Sequence, residues 1–288
     1  MIIKINNILK YSLAIIGLST SLSVFAETLK YNRSESDPNG PYMTQMIKLA
    51  FEHLGRNVEL IPVDEAMTQT RLVEDTLNGS LDIMWAGTGK ELEQQLEPIR
   101  IPMFKGLLGH RFFIIRKGDQ ARFDDVKSIE DLRKIPIGQG TAWIDTKILE
   151  ANGLKVVKSM KYQNLFFMLD GGRFDAFPRA VFEPFSEVEK RPELNLAVEK
   201  RLMLVYKMDF YLFVSKNNKQ LARDLELGLN RAIADGSFEK LFLSSPSVQE
   251  AITNGDLKNR LVIPLDNPFM SKETPVDRAE LWIDPKNL

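Results

Sequence analysis

Strand and helix patterns alternate along the first third of the chain. Residues 29–33 alternate polar and apolar side chains as a strand does, and residues 43–54 carry apolar side chains at helical spacing. Residues 58–63 and 81–85 predict two further strands, with a second helix at 69–77 between them. This β-α-β-α-β order predicts parallel strands covered by helices.

A long extended passage at residues 98–116 interrupts this order. Because Gly106 and Gly109 break it, the passage favours a crossing between two lobes over one edge of a single sheet. A second series of short helices and strands begins at Ser128 and ends with a strand at 174–177. The pattern therefore predicts two α/β lobes.

In the last third of the chain, the pattern predicts strands that return to the first lobe. Residues 202–206 and 210–214 are apolar strand patterns, and we expect both to return the chain there. One apolar stripe at residues 221–233 marks a long helix. Residues 244–288 are rich in proline and charge, so we expect a strap on the first lobe whose strand-like part is 261–265.

The first 26 residues have the composition of a secretory signal peptide. Lys4 and Lys10 give a basic start, residues 11–24 are apolar with serine and threonine, and small residues close the segment at Ala26. The apolar run is shorter than the roughly 20 residues of a membrane span, which disfavours a membrane anchor. We therefore expect cleavage after Ala26 and a periplasmic protein.

The composition of the mature chain excludes several classes of function. Removing 26 of the 288 residues leaves 262, enough for two lobes. Without Lys4 and Lys10, the basic residues fall from 38 to 36 against 39 acidic ones, and their mixed distribution argues against a nucleic-acid partner. The chain has no cysteine, so it depends on its core, and its two histidines argue against a histidine-rich zinc site. No later segment reaches spanning length free of charge, and we expect a soluble protein with no cofactor and no metal.

Two loops, at residues 78–88 and 170–183, share one plan: a helix end with glycine, an aspartate, an apolar run and then a polar segment. In open α/β sheets, loops beyond the carboxyl ends of parallel strands bind small ligands. One such loop in each half of the chain suggests that two lobes face one cleft.

The first of these loops contains Trp85, Ala86, Gly87 and Thr88. It leaves the end of a strand, so the indole of Trp85 can stack on a ligand, while Gly87 and Thr88 offer backbone N–H groups and a hydroxyl. Trp85 is equally suited to fill the core, since large aromatic side chains serve both uses.

In the second half, Gln139, Gly140 and Thr141 open the helix that starts near Trp143. Free amides and the positive end of the helix dipole would then face the cleft, which favours a carboxylate or another anion. Thr141 could instead cap the helix without any ligand, and Trp143 could line the cleft or fill the core.

Arg179 ends the opposing strand, and Glu183 lies one turn further on. The guanidinium could bind a ligand carboxylate bidentately, or it could form an ion pair with Glu183 or Glu187. The weaker candidates for ligand binding are Tyr42, Arg111 and Tyr206.

With a signal peptide, two lobes, a double crossing and the helix end DGSF at 235–238, the chain resembles the periplasmic solute-binding proteins of family 3. Those proteins are ABC-transporter receptors, mostly for amino acids. The likeness covers residues 29–242, and it depends on the order and spacing of the short motifs GSLD at 79–82 and GRFDA at 172–176.

The resemblance implies an α/β protein with the type II periplasmic binding fold. Each lobe would be a mainly parallel sheet flanked by helices, and two crossing strands would join the lobes, which close on a ligand like a hinged trap. We place lobe 1 at 27–112 and 215–288, and lobe 2 at 113–214. The implied function is capture of a small carboxylate-bearing ligand, an amino acid or a related anion, by a monomer that serves an ABC permease.

The chain departs from the family at both charge anchors. Where amino-acid receptors carry an arginine for the ligand carboxylate, residues 89–93 read GKELE, and Lys90 is the one cation. Where they place an aspartate for the ligand ammonium, this chain has Pro178 and Arg179. We therefore expect an anionic ligand whose acid group meets Arg179 and the amides at 139–141.

Two other functions stay open. The same fold serves exported enzymes that resemble cyclohexadienyl dehydratases, in which Glu183 would be the natural general acid. No G-x-S-x-G, P-loop or H-E-x-x-H sequence supports an enzyme, and we favour Glu183 as a partner of Arg179. The protein could also present its ligand to a membrane sensor.

Overall fold

The computed structural model describes residues 27–33, 37–64 and 67–288, so the predicted signal peptide lies outside the described residues. The strands are β1 (Glu27–Arg33), β2 (Val58–Asp64), β3 (Ile83–Gly87), β4 (Glu97–Ile99), β5 (His110–Arg116), β6 (Ile137–Gly140), β7 (Val156–Ser159), β8 (Phe177–Ala180), β9 (Leu196–Val198), β10 (Leu202–Val205), β11 (Phe210–Val214) and β12 (Leu261–Pro264). The helices are α1 (Gly40–Glu52), α2 (Gln69–Leu77), α3 (Lys90–Gln95), α4 (Ala121–Asp124), α5 (Ile129–Leu132), α6 (Ile144–Ala151), α7 (Tyr162–Asp170), α8 (Pro184–Glu189), α9 (Lys219–Ala234), α10 (Ser237–Ser244) and α11 (Pro246–Asn254).

The first lobe is built on a five-stranded sheet in the order β2-β1-β3-β11-β4. Strands β1, β2 and β3 are parallel, and β11 runs antiparallel to β3 and to β4. Apolar residues of α1 are fully buried, and α1 packs against the long helix α9. The predicted β-α-β-α-β series is confirmed in this lobe.

The second lobe is built on a sheet in the order β12-β10-β5-β8, with β9 also paired to β5. The parallel pair β6-β7 joins the end of β8 through a bridge between Ile137 and Ala176. Strand β5 runs antiparallel to β8, β9 and β10. Each sheet therefore has one reversed strand, and that strand is the one that arrives from the other lobe.

The two crossings, at residues 100–109 and 206–209, lie against each other. The backbone N–H of Tyr206 donates to the carbonyl of Gly109 at 3.0 Å. A Cβ atom on Gly109 would lie 1.8 Å from the carbonyl oxygen of Tyr206, so only glycine permits this contact. The crossings thus form one hinge rather than two independent linkers.

The sheets divide the chain differently from the predicted lobe boundaries. Strand β11 lies in the first sheet, although residues up to 214 were expected in lobe 2, and β10 stays in the second sheet instead of returning. Strand β12 of the tail also belongs to the second lobe, because it pairs in parallel with β10 along its whole length. The edge of β10 offers backbone N–H and C=O groups that β12 pairs with, and the sequence of β12 alone does not reveal which edge it covers.

Most large apolar side chains of both lobes and of the crossings are buried in a common core. No helix in the described part of the chain combines the length and the apolar character needed to cross a bilayer.

We predict that Gly228→Ala destabilises the protein. Gly228 in α9 touches α1, and a Cβ there would lie 2.0 Å from the carbonyl oxygen of Ala50. Alanine gains about 1 kcal/mol in helix propensity, but the overpacking of two helix backbones costs about 3 kcal/mol at so short a contact, so the net loss should be about 2 kcal/mol.

Urea unfolding measures this loss, and Leu227→Ala is the matched control. Leu227 is 48% exposed on the same helix, so its replacement should change the free energy of unfolding by no more than about 0.5 kcal/mol. Equal stability of Gly228→Ala and the unsubstituted protein would contradict the close packing of α1 and α9.

Candidate functional site

A cavity of about 230 Å³ lies between the two lobes. Both lobes and the return crossing contribute to its wall. The polar and aromatic lining includes Asp37, Asn39, Trp85, Arg111, Trp143, Asp145, Tyr162, Arg179 and Glu183. The cavity is therefore a small chamber at the junction of the lobes, in which charged and polar side chains lie among apolar ones.

The first lobe supplies the end of β3 and the segment before α1. Trp85 lies in β3, and its indole Nε1 donates to Oδ2 of Asp37 at 2.8 Å. The backbone N–H of Asn39 donates to the other oxygen of Asp37 at 2.9 Å. The carboxylate is thus held from two sides and faces the cavity.

The second lobe supplies two arginines from neighbouring strands. Arg179 lies near the carboxyl end of β8, and Arg111 lies near the amino end of β5. Because β5 is reversed, these two ends share one edge of the sheet, where Arg111 is opposite Ala180. The reversed crossing strand therefore brings a second guanidinium to the cleft.

The guanidinium of Arg179 is enclosed by carboxylates and aromatic rings. Its Nε and Nη2 donate to Glu187 at 2.7–3.0 Å, and Nη2 lies 3.0 Å from Glu183. The rings of Trp143 and Phe177 lie 5.1 and 5.2 Å from its central carbon. No described residue accepts a hydrogen bond from its Nη1.

Arg111 is 2% exposed and is held in a similar way. Its Nε donates to the hydroxyl of Tyr206 at 3.0 Å, and its Nη2 donates to Asp145. The hydroxyl of Tyr206 also donates to Asp145. The remaining nitrogen, Nη1, is 3.9 Å from Glu183, which links the two arginines through one carboxylate.

Carboxylates outnumber guanidinium groups around the cavity. Asp37, Asp145 and Glu183 line it, and Glu187 binds Arg179 from outside the lining. Against these four groups stand the two arginines. Both guanidinium groups already have carboxylate partners, so the second-lobe side of the cavity carries no excess of positive charge.

The first-lobe wall offers acceptors. Burial raises the pKa of Asp37, and the hydrogen bonds from Asn39 and Trp85 oppose that rise only in part. The side-chain nitrogen of Asn39 donates across the cleft to Glu183 at 3.3 Å. Its side-chain oxygen is buried and has no hydrogen-bond partner among the described residues. A ligand that donates hydrogen bonds would satisfy these groups.

The lobes also touch beside the cavity. Ile144, at the start of α6, lies against Gly87 and Gly89, where a Cβ on Gly89 would be 2.9 Å from its Cδ1 atom. Lys147 on α6 and Glu91 on α3 form an ion pair at 2.5 Å across the same gap. The structure is therefore a closed arrangement of the two lobes.

Of the predicted site residues, seven line the cavity: Trp85, Ala86, Gly87, Arg111, Trp143, Arg179 and Glu183. Contact between these residues and a ligand stays a prediction. The cavity lining does not include Tyr42, Thr88, Gln139, Gly140, Thr141 or Tyr206.

Residues 139–141 are occupied by local contacts. The backbone N–H of Thr141 donates to Ser159 at 2.9 Å, and the ring of Trp143 covers Gly140. Gln139 is buried, and its side-chain oxygen accepts from the N–H of Gly140 at 3.3 Å. The amides expected to bind an anion are therefore not offered to the cavity.

The other predicted residues outside the lining have structural partners. The hydroxyl of Thr88 donates to Glu93 at 2.7 Å, and the hydroxyl of Tyr42 donates to the carbonyl of Met103 at 2.6 Å. Tyr206 positions Arg111, as described above.

Sequence reasoning missed Asp37, Asn39, Asp145 and Tyr162. The sequence DPNG at 37–40 offered a signal, since an acidic residue and asparagine directly before a helix are placed to bind or to cap. Asp145 and Tyr162 lie on helix starts and gave no comparable signal. Among the described residues, no group of three or more metal-binding side chains is placed to hold a metal.

The return crossing contains a buried carboxyl group, that of Asp209. The hydroxyl of Tyr211 donates to Oδ2 of Asp209 at 2.5 Å, and Oδ1 has no partner among the described residues. Burial raises the pKa of Asp209 to about 7, the bond from Tyr211 lowers it, and the nearby carboxylate of Glu93 raises it again. The backbone carbonyl of Asp209 accepts from Thr88 at 3.0 Å, which ties the crossing to the first-lobe loop.

Known structures share this architecture. No protein-family model matches the chain, and no curated protein matches it in sequence. An ancestral arginine-binding protein bound to glutamine is similar at a TM-score of 0.58 and 20% identity, over 77% of this chain and 99% of that one. The same kind of protein bound to arginine gives a TM-score of 0.55 at 21% identity, over 75% and 96% of the two chains.

A third similar structure is an amino acid ABC transporter substrate-binding protein from Streptococcus pneumoniae, bound to L-arginine. It has a TM-score of 0.54 and 18% identity, over 73% of this chain and 84% of that one. Likeness at this level of identity establishes the fold. The chain has the two-lobed α/β fold of these binding proteins, as the sequence predicted.

We predict that the free energy of unfolding falls as the pH rises, because the carboxyl group of Asp209 is protonated in the folded protein at low pH. Its pKa is about 7 in the folded protein against 3.8 in an ordinary aspartate, so the folded state holds a proton that the unfolded chain releases. Between pH 5 and pH 7 this group should remove about 2–3 kcal/mol from the free energy of unfolding.

Urea unfolding at pH 5, 7 and 8 tests this against Asp209→Asn, which mimics the protonated group and should lack that loss. Above pH 7, the free energy of unfolding should change with pH by the same amount in Asp209→Asn and in the unsubstituted protein. The exposed Asp277→Asn serves as control and should keep the pH profile of the unsubstituted protein. Identical profiles for Asp209→Asn and the unsubstituted protein would show that this carboxyl is not perturbed.

Proposed function

We propose that this chain is an exported solute-binding protein that closes on an amino acid and delivers it to an ABC transporter. The observation that carries the proposal is the cavity of about 230 Å³ between the lobes, with paired arginines on one wall and Asp37 on the other. A zwitterion suits such a chamber, because its ammonium group can meet the carboxylate of Asp37 and its carboxylate can accept hydrogen bonds from arginine nitrogens that have no acceptor among the described residues.

The first-lobe wall is suited to a positively charged group. The carboxylate of Asp37 is an acceptor, as is the side-chain oxygen of Asn39, which has no hydrogen-bond partner in the described part of the chain. Trp85 places an aromatic ring beside them. Burial disfavours the charged form of Asp37, so a ligand cation would relieve that cost. On the opposite side, the rings of Trp143 and Tyr162 lie 5.1 and 5.4 Å from the guanidinium carbon of Arg179 and hold that cation in place.

The second-lobe wall is suited to the ligand carboxylate. Nη1 of Arg179 makes no hydrogen bond to a described residue, and Nη1 of Arg111 is 3.9 Å from Glu183. The N–H groups of these two nitrogens can therefore donate hydrogen bonds to the acid group of a ligand. Lys90, the one cation of the first-lobe loop, is occupied, because its Nζ donates to the carbonyl of Pro268 at 3.1 Å.

Similar structures that hold arginine or glutamine support an amino acid as the ligand class. The description of one of them as an ABC transporter substrate-binding protein supports delivery to a permease. The predicted signal peptide supports a periplasmic location.

Binding without chemistry fits the environment of Glu183. This carboxylate accepts from the backbone N–H of Ala180 at 2.9 Å and from Asn39, and it contacts both arginines. The carboxylate of Glu183 thus accepts hydrogen bonds from both lobes, and this role disfavours the alternative in which Glu183 is a general acid.

We predict that amino acids with a basic or amide side chain raise the melting temperature, whereas dicarboxylates without an ammonium group do not. A ligand that binds only the folded state adds about 2.7 kcal/mol at 100 times its dissociation constant. Thermal-shift assays with L-arginine, L-glutamine, L-glutamate and succinate give the comparison. A shift with succinate alone would overturn the zwitterion and restore a purely anionic ligand.

We predict that Asp37→Asn weakens binding of the amino acid that gives the largest thermal shift by roughly 10- to 100-fold, since a hydrogen bond to a charged group is lost. Because burial raises the pKa of Asp37, affinity in the unsubstituted protein should fall as the pH is lowered, and the variant should lose that dependence.

Isothermal titration calorimetry over a pH series measures both effects. Asp125→Asn, at an exposed position in the second lobe, is the control and should leave affinity unchanged. Undiminished affinity of Asp37→Asn would remove Asp37 from the site.

A further inference from the structure

The tail carries a short segment, residues 266–269, that contacts both lobes and the hinge. At its start, the side-chain nitrogen of Asn152 donates to the carbonyl of Asp266 at 2.8 Å, and the N–H of Asp266 donates back to Asn152 at 3.0 Å. Asn152 ends α6, so this end of the segment is fixed to the second lobe.

The rest of the segment is bound to the return crossing and to the first lobe. The side chain of Asn267 donates to the carbonyl of Lys207 at 2.8 Å. Lys90, which begins α3, donates from its backbone N–H to Phe269 and from its Nζ to Pro268, both at 3.1 Å. Four consecutive residues thus span from one lobe to the other.

Beyond this segment the tail continues along the hinge. Glu273 forms an ion pair with Arg100, and the N–H of Ile283 donates to the carbonyl of Lys105 at 3.0 Å. The ring of Trp282 covers Gly106, where a Cβ would lie 2.6 Å from it. Both Lys105 and Gly106 belong to the outgoing crossing, so the tail braces the hinge as well as the lobes.

A two-lobed protein opens by rotating its lobes about the crossings. Such a rotation moves Lys90 away from Asn152, because these residues belong to different lobes. The segment between them is short and contains Pro268, which limits its conformational freedom. Opening therefore has to break hydrogen bonds at one end of the segment.

We propose that residues 266–269 form a clasp that holds the two lobes in the closed arrangement whether or not a ligand is present. The clasp depends on the described contacts alone and not on the identity of the ligand. Its removal should shift the protein toward open forms and speed ligand exchange.

Distance measurements between the lobes test the clasp. The chain has no cysteine, so Leu77→Cys in the first lobe and Met160→Cys in the second, at positions 41% and 78% exposed, accept spin labels selectively. Pulsed electron spin resonance without ligand then gives the distribution of lobe separations in the full chain after signal-peptide removal.

Asn152→Ala combined with Asn267→Ala removes three of the hydrogen bonds. We expect the ratio of open to closed forms to rise roughly fivefold for each neutral hydrogen bond lost. The distribution should become longer and broader, and small-angle scattering should give a larger radius of gyration. Lys272→Ala, exposed in the tail, is the control and should change neither quantity.

A second variant keeps the proposal testable if the double alanine protein unfolds. Pro268→Gly retains the hydrogen-bonding side chains but loosens the segment, and it should broaden the distances in the same direction. A folded double variant, or a folded glycine variant, with the distance distribution of the labelled parent would overturn the clasp. Because no ligand is added, failure here is distinct from failure of the proposed function.

Discussion

Two buried arginines at one sheet edge impose the constraint on which the site depends. Moving a guanidinium out of water costs several kcal/mol unless carboxylates and hydrogen bonds replace the lost hydration. Arg111 is neutralised by Asp145, and Arg179 by Glu187, while Glu183 contacts both. The second-lobe wall is consequently rigid before any ligand arrives, and its remaining donors point in fixed directions.

The same network explains why charge counting along the sequence was misleading. Arg179 at a strand end indicated an anion site; its side chain lines the cavity, and its contact with a ligand stays a prediction. Its pairing with Glu187 depends on how α8 folds back against β8, which no local pattern of residues specifies. The loop at 139–141 was also misleading, because the backbone N–H of Thr141 donates to Ser159 and the ring of Trp143 covers Gly140.

The fold was predicted correctly where apolar residues recur with a clear strand or helix period. It was not predicted where a strand pairs with a strand far away in the sequence. Periodicity and turn residues predicted the alternation of strands and helices in each lobe and the return to β11. They also predicted a crossing within residues 98–116, marked by Gly106 and Gly109. The placement of β12 did not follow, because its apolar face fits any exposed parallel edge. Asp37 was missed for a related reason: its hydrogen bond from Trp85 joins positions 48 residues apart, which no local pattern shows.

Closure and charge act against each other in this molecule. Asp37 lies in the cleft between the lobes, where burial raises its pKa and disfavours its charged form, so the closed arrangement carries an electrostatic cost. The contact of Asn39 with Glu183, the seating of Ile144 on Gly89 and the tail segment 266–269 favour closure and offset that cost. A cation beside Asp37 would remove the cost without weakening those contacts. Ligand binding would then stabilise a closed form that the fold already favours, which makes recognition depend more on the charge of the ligand than on a large movement of the lobes.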